Sequence, residues 1–280
     1  MYEKVSKYHP DKLADRIAGA IVDLAYSKNK DAKVAVEVLI GHGEAYIINE
    51  TNTSITYEEV KTIVYRIVQT KDINVTYKEV AQDVELAKNQ EHEVRAGDNG
   101  IFKGTPTSDE EEYLANLTHR FDDTIASDGK YIVDEEHNKV IVCQSNASEM
   151  QIKNIAKTTS TLIINPLGEW TGGTNVDSGA TNRKLGSDLG EAVTGGGLHG
   201  KDLSKADVSV TIVCNIIARD FGKPVTAACA IGDNKITFHI GEPEEFASQT
   251  FTYERVVESA KNYIDHIGGF EKLAEYGLIR

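Results

Sequence analysis

His9-Pro10-Asp11-Lys12 stands where the sequence marks the start of a helix. Proline suits a first turn, and Leu13, Ile17, Ile21 and Leu24 recur at helical spacing over residues 11–27. Asp11 there favours the helix dipole, and it could equally hold Mg²⁺ while His9 and Lys12 meet phosphate oxygens. A second group, Arg95-Ala96-Gly97-Asp98-Asn99-Gly100, is either plain turn chemistry or a site loop. The third runs from Asp177 to Lys184, where Arg183 and Lys184 follow a flexible stretch. Such a pair suits a polyphosphate, or forms a solvated basic patch. The fourth, Gly195 to Asp202, satisfies G-x-G-x-x-G and nearly fits a P-loop. No clear strand precedes it, and Asp202 stands where a P-loop has Ser or Thr, so neither motif transfers. Its physical content survives: backbone without side chains can approach phosphate, with Lys201 and Lys205 nearby and Asp207 within reach of a metal.

Several carboxylates, several cations and Gly-rich backbone are the equipment for Mg²⁺-nucleotide chemistry. There is no Ser-His-Asp signature and no Cys/His zinc spacing. The three cysteines, an odd count without a CxxC pair, read as reduced core thiols. A net charge of −14 argues against nucleic acid as a partner and makes each local gathering of Lys and Arg beside Gly a candidate anion site. No apolar run is long enough to cross a bilayer, and Met1-Tyr2-Glu3-Lys4 is no secretory signal, so the expectation is a cytoplasmic protein without a membrane partner.

The elements that must position these groups are partly legible. Residues 32–40 and 44–52 read as strands around a turn at Gly41-His42-Gly43, and Thr56 with Glu59 signals a capped helix to about Thr70. The fragment at Thr56-Tyr57 has echoes at Thr76-Tyr77 and Thr252-Tyr253, which are either three helix starts or traces of an internal repeat. Residues 89–108 read as a loop, 131–134 and 139–144 as strands, and Ser148 as the start of a helix leading to a strand at residues 161–165. Residues 166–202 show little periodicity, a length that is uncommon in a compact domain unless it is functional. A helix to about Phe221, a hairpin over Val225–Ile231 and Lys235–Ile240, and a terminal helix complete the chain. Strand pairs alternating with helices predict an α+β fold, with helices on one face of mostly antiparallel sheets.

In order and type, these motifs resemble the methionine adenosyltransferases, or S-adenosylmethionine synthetases. The family's GHPDK segment is similar to Tyr8 through Lys12, its KVACE strand to Lys33 through Glu37, and its GGEITT strand to Ile48 through Asn52. Its GAGDQG loop resembles Arg95 to Gly100, and its PDGK segment Ser127 to Lys130. The stretch from INPTGRF through GDxGLTGRK aligns onto Ile164 to Lys184, and GGGAFSGKDxxKVD resembles Gly195 to Asp207 with one residue fewer. An AIG triplet recurs at Ala230-Ile231-Gly232. The chain departs in being much shorter, chiefly between Gln90 and Asp98, and in placing Glu169 beside Trp170, Val208 after Asp207, and Lys7 and Tyr8 before His9.

The resemblance implies three similar α+β subdomains, here divided at 1–88, 89–166 with a shortened gating loop, and 167–280 with the Gly-rich phosphate-binding segment. It implies synthesis of S-adenosylmethionine from ATP and L-methionine, with tripolyphosphate displaced and then hydrolysed. By residue-wise carry-over, His9, Lys201, Arg183 and Lys130 are catalytic. ATP would meet His9, Asp128, Lys130, Trp170, Asp177, Arg183, Lys184, Lys201 and Ile231. Methionine would meet Glu50, Gln90, Asp177 and Lys205, with Asp98 in support. Asp11 and Asp207 would hold Mg²⁺, and Glu37 K⁺. The site would complete across a homodimer or tetramer interface. The alternatives are a methionine-independent nucleotide or tripolyphosphate hydrolase, and a non-catalytic nucleotide- or S-adenosylmethionine-binding homologue.

Overall fold

The computed structural model describes residues 1–89, 93–242 and 247–280. Twelve strands form three four-stranded sheets among the described residues. The first contains β2 (Val34–Gly41), β3 (Glu44–Thr51) and β4 (Asn74–Ala81), with β9 (Ser178–Ala180) at its edge. The second contains β6 (Gly129–Asp134), β7 (Lys139–Gln144) and β8 (Thr161–Ile164), with β1 (Tyr2–Val5) added. The third contains β10 (Val225–Cys229), β11 (Lys235–Ile240) and β12 (Ala247–Thr252), with β5 (Gly100–Gly104) added. Each sheet thus takes three strands from one stretch of sequence and a fourth from another stretch. The β3/β4 and β7/β8 ladders are parallel, and the others are antiparallel.

Helices cover one face of each sheet. α1 (Pro10–Lys28) and α2 (Tyr57–Val68) lie against the first. α4 (Asp109–Thr124), which follows the short α3 (Val84–Asn89), and α5 (Glu149–Ala156) lie against the second. The third is covered by α7 (Ala206–Phe221), which follows α6 (Leu185–Leu189), and by α8 (Tyr253–Ile267). The first and third layers share one core, in which α1 and α7 are buried almost all round, and α9 (Phe270–Tyr276) packs on α1. Phe121, Tyr131 and Val142 centre a smaller core under the second sheet.

The alternation of strands β2 and β3 explains their one-sided burial. Val34, Val36, Val38 and Ile40 point inward, whereas Glu37 and Leu39 point out. On β3 the outward residues are Tyr46 and Ile48. Leu39, Tyr46 and Ile48 are 51%, 49% and 54% exposed, so this sheet carries an uncovered apolar face.

Three sequence expectations change. Thr76-Tyr77 lies inside β4 and is no helix start, because β4 is an edge strand with little burial and so lacks an apolar period. Thr56 and Thr252 do cap helices, α2 and α8. The loop expected over 89–108 contains β5, whose only buried side chain of size is Phe102. The aperiodic stretch 166–202 holds β9 and α6, each of five residues or fewer.

Candidate functional site

At the start of α1, His9 is the N-cap: its Nδ1 accepts the backbone N–H of Asp11 at 3.1 Å. Because Nδ1 is an acceptor, a neutral His9 carries its proton on Nε2. Burial first, and the Lys184 ammonium second, pull the His9 pKa down to about 4, against the opposing pull of Asp11 and Asp177. The imidazole is therefore neutral near pH 7.

Asp11 is buried beneath it. Its Oδ1 accepts the N–H of Ala180 at 2.9 Å, and its Oδ2 meets Lys184 Nζ at 2.6 Å. Arg183 lies 3.5 Å from the same carboxylate. Strand β9 reaches Asp11 because Gly179 has no Cβ; one there would fall 2.1 Å from the carbonyl carbon of Pro10. Asp128 stands nearby, buried, with its pKa pushed up to about 6 by burial and by Asp177 and Asp11 against the Gly173 and Gly129 N–H groups. Trp170, 37% exposed, lies beside it across Gly172, and its Nε1 donates to Asn165. Lys130 projects from the outer face of β6 and pairs with Glu3 at 3.0 Å, close enough to lower the pKa of His9.

A second cluster surrounds the start of α7. A cavity of about 660 Å³ is lined by Glu50, Asp98, Lys201, Lys205, Asp207 and Ile231. Lys201 Nζ lies 2.5 Å from Asp207 Oδ2. Asp98 Oδ1 accepts the Ala206 N–H at 2.5 Å, while Asp98 Oδ2 is buried with no partner. Burial, then the neighbouring Asp207, raise the Asp98 pKa to about 6. Gly196 lets the loop backbone close on the Asp207 carboxylate, since a Cβ there would sit 2.1 Å from Asp207 Oδ1.

The structure thus sorts the expected residues into two groups, and no hydrogen bond or ion pair joins the two directly among the described residues. His9, Asp11, Asp128, Lys130, Trp170, Asp177, Arg183 and Lys184 gather about α1. Glu50, Asp98, Lys201, Lys205, Asp207 and Ile231 gather about α7. Glu37 stands apart from both, on the outer face of β2, where its carboxylate accepts from the Thr181 hydroxyl. Gln90 lies outside the described residues.

One expectation is corrected. Lys12 does not face phosphate, because it is fully buried and donates to both oxygens of Asp188 at 2.7 Å and to Asp15 at 3.2 Å. Residue type alone could not separate Lys12 from Lys184; which cation is buried is decided by Asp188, far along the chain.

That buried cluster is what the sequence reading missed. Asp15, Asp188 and His199 bring ligand-type atoms within 4.8 Å of one another. His199 Nε2 is 2.9 Å from Asp188 and 3.8 Å from Asp15. The arrangement resembles a metal site, but the Lys12 ammonium already supplies its cation. Burial alone would raise Asp188, yet Lys12 and His199 hold its carboxyl below the usual range. Lys4, nearby, is lowered to about 7 by burial and donates to the Ser187 and Tyr276 carbonyls. The cavity also takes Asp83, Glu85 and Asn89 from around α3, a segment whose polar sequence carried no mark of a site.

Comparisons with known proteins bear on the fold and on the sequence as a whole. Residues 1–92 match the family model described as S-adenosylmethionine synthetase, N-terminal domain. An S-adenosylmethionine synthase of Acholeplasma laidlawii is 29% identical, over 91% of this chain and 82% of its own length. Those of Staphylococcus epidermidis and Helicobacter pylori are each 26% identical, over 94% and 99% of this chain and 85% and 86% of their own lengths. In structure, the chain is similar to an unusual S-adenosylmethionine synthetase from Campylobacter jejuni, with a TM-score of 0.76 and 16% identity over 99% of this chain and 93% of that one; at this identity the likeness speaks for the fold. On the motifs, the matched N-terminal third and relatives that align nearly end to end, the chain is similar to the S-adenosylmethionine synthetases, at 29% identity or less, and is shorter than the relatives it matches.

Proposed function

We propose that the protein makes S-adenosylmethionine from ATP and L-methionine, displacing tripolyphosphate and hydrolysing it before release. The observation that carries this reading is His9: a neutral, partly buried N-cap imidazole whose Nδ1 is occupied, so that Nε2–H remains to donate.

The methionine sulfur is a neutral nucleophile, so its attack on C5′ of ATP needs no general base. The difficulty lies in the leaving group, where charge gathers on the bridging oxygen. A fixed donor at that oxygen acts chiefly in the transition state. His9 Nε2–H has that role here. Arg183, Lys184, Lys130 and Lys201 hold the phosphates, and Asp128, Trp170 and Ile231 hold the nucleoside. Glu50, Asp177, Lys205 and Gln90 bind methionine, and Asp98 supports the α7 side.

The carboxylates fit Mg²⁺. Asp11 and Asp207 are hard oxygen donors, each now neutralised by a lysine, and Asp98 Oδ2 is orphaned beside Asp207. When bound, the ion would neutralise phosphate charge. Asp11, fixed by the Ala180 N–H, and Asp207 would hold it, and Lys184 and Lys201 would be left to hold phosphate. Glu37 offers an outward carboxylate suited to K⁺.

We place the complete site between two copies of the chain. The two clusters are separate in one copy, and the outer face of β2 and β3 carries Glu37 and Glu50 together with exposed Leu39, Tyr46 and Ile48. A second copy on that face buries the apolar residues and closes the site.

The test is incubation with ATP, Mg²⁺ and methionine, with mass detection of product. S-adenosylmethionine, phosphate and diphosphate should appear together and only with methionine present. ATP hydrolysis indifferent to methionine, without S-adenosylmethionine, rejects the reading in favour of a hydrolase.

A further inference from the structure

The buried ion cluster does not line the cavity, yet both clusters of site residues hang from it. Asn182 and His199 form a reciprocal pair: the His199 N–H donates to Asn182 Oδ1 at 2.8 Å, and Asn182 Nδ2 donates to the His199 carbonyl at 3.2 Å. Asn182 is held from below, its own N–H donating to Asp15 Oδ1 at 2.7 Å. His199 is held by its ring, at 2.9 Å from Asp188. Asp15 and Asp188 are in turn bound by the one ammonium of Lys12. Arg183 and Lys184 directly follow Asn182, and Lys201 follows His199 by two residues. Asn182 also adopts the left-handed region, with φ 63°.

From this geometry we infer that His199 and Asn182 are positioning residues, a clasp that fixes the phosphate-binding cations of both clusters to the Lys12–Asp15–Asp188 core. The inference rests on the synthetase reading only in naming the anion as tripolyphosphate. Without the clasp, the Arg183–Lys184 turn and the Lys201 loop keep their charges and lose their spacing. An anion that bridges several cations suffers from that loss, whereas the smaller methionine does not.

The experiment is calorimetric titration of the full-length protein with Mg²⁺-tripolyphosphate, beside steady-state kinetics. His199→Ala should weaken tripolyphosphate by at least about tenfold, as loss of an orienting partner does, and leave the KM for methionine within about twofold. His199→Gln, whose amide can donate to Asp188, should restore most of the affinity. Asn182→Gly accepts the left-handed backbone and removes only the side-chain bonds. It should act in the same direction, and it keeps the test alive where a buried cavity at position 199 prevents folding. Unchanged tripolyphosphate affinity in a folded His199→Ala or Asn182→Gly protein overturns the inference, as does an equal loss for methionine, or wild-type protein that binds no tripolyphosphate. Wild-type protein that binds tripolyphosphate but forms no S-adenosylmethionine sinks the synthetase reading and leaves the clasp standing.

Discussion

The ammonium of Lys184 lies 2.6 Å from Oδ2 of Asp11, and the Asp11 side chain is only 1% exposed. On the proposed function, Asp11 would therefore compete with phosphate for Lys184 in the absence of metal. Asp11→Asn should bind ATP several-fold more tightly than wild type in the presence of a chelator. With Mg²⁺ it should lose turnover by roughly 10²-fold or more, the scale on which removal of one preorganised charge-stabilising group acts. Calorimetry in chelator and turnover with Mg²⁺ check both halves. Weaker metal-free ATP binding by the variant contradicts the competition.

His9→Ala should lower kcat by roughly 10²–10³ with little change in ATP binding, because in the proposed reaction its donor would meet charge that develops only at the leaving oxygen. Lys201→Ala should change both, since that lysine would touch phosphate before and during reaction. Near-normal turnover by His9→Ala means that the leaving group is handled elsewhere.

How far the sequence spoke depends on whether a residue's role was local. His9 with Pro10 was readable as a helix start because an N-cap and its helix are adjacent in the chain, and α1 indeed begins at Pro10. The central strands β2 and β3 were readable from their period of two, because one face is buried. Strands β1, β4 and β5 were not, being short or at a sheet edge, where pairing rather than burial defines the strand. The same limit applied to the site. Asp188 gives no sign in the sequence of meeting Lys12, 176 residues away, and without that contact Lys12 looked like one more phosphate ligand.

The pH dependence of stability should carry two opposed contributions. His9 has a folded pKa near 4, below its ordinary value of 6.5, so its neutral form is favoured by folding. That stabilisation is full above pH 6.5 and is lost as pH falls from there towards 4. Asp98 has a folded pKa near 6, above its ordinary 3.8, so it costs stability at neutral pH and ceases to do so as pH falls through 6 towards 4. Asp98→Asn keeps an oxygen for the Ala206 N–H and should stabilise the fold at pH 7.5 by about 1–2 kcal/mol, at most the value of its shift. The gain should fade by pH 4, and activity should fall. Thermal unfolding at a series of pH values decides it; a gain that grows towards acid pH has the wrong sign.

Ile48 stands 54% exposed on the outer face of β3, two residues before Glu50. A charge there costs the single chain little and should cost an apolar interface much. Ile48→Lys is expected to remain folded, to run as a monomer in light scattering where wild type is at least a dimer, and to lose activity in the same step. An active wild-type monomer at assay concentration refutes the shared site.

The short loop sets a last expectation, on selectivity. Only the seven residues Glu91 to Gly97 separate Gln90 from Asp98. The ends of this stretch are tied down: Asn89 Nδ2 donates to the Ala96 carbonyl at 3.3 Å, the Gly232 N–H donates to that same carbonyl at 2.9 Å, and the Ala96 N–H donates to Asp233. If this stretch is the cover that the family resemblance implies, so short a cover would order few residues and cost little entropy. It would also enclose less of the substrate, so that water would be excluded less completely and the side chain beyond the methionine sulfur would meet less of a wall. Ethionine and longer S-alkyl homocysteines should be accepted comparatively well, and opening of the cover should limit turnover less than in long-loop relatives. The measurement is kcat/KM for methionine and for ethionine, in this protein and in a relative with a longer stretch at this position, under one set of conditions. One extra methylene in a closed apolar pocket is worth about 10–200-fold; the short-loop protein should fall well below the ratio of its relative. Discrimination as sharp as the relative's, or sharper, means that the wall is supplied elsewhere, and the segment around α3 that brings Asp83, Glu85 and Asn89 to the cavity is where to look for it.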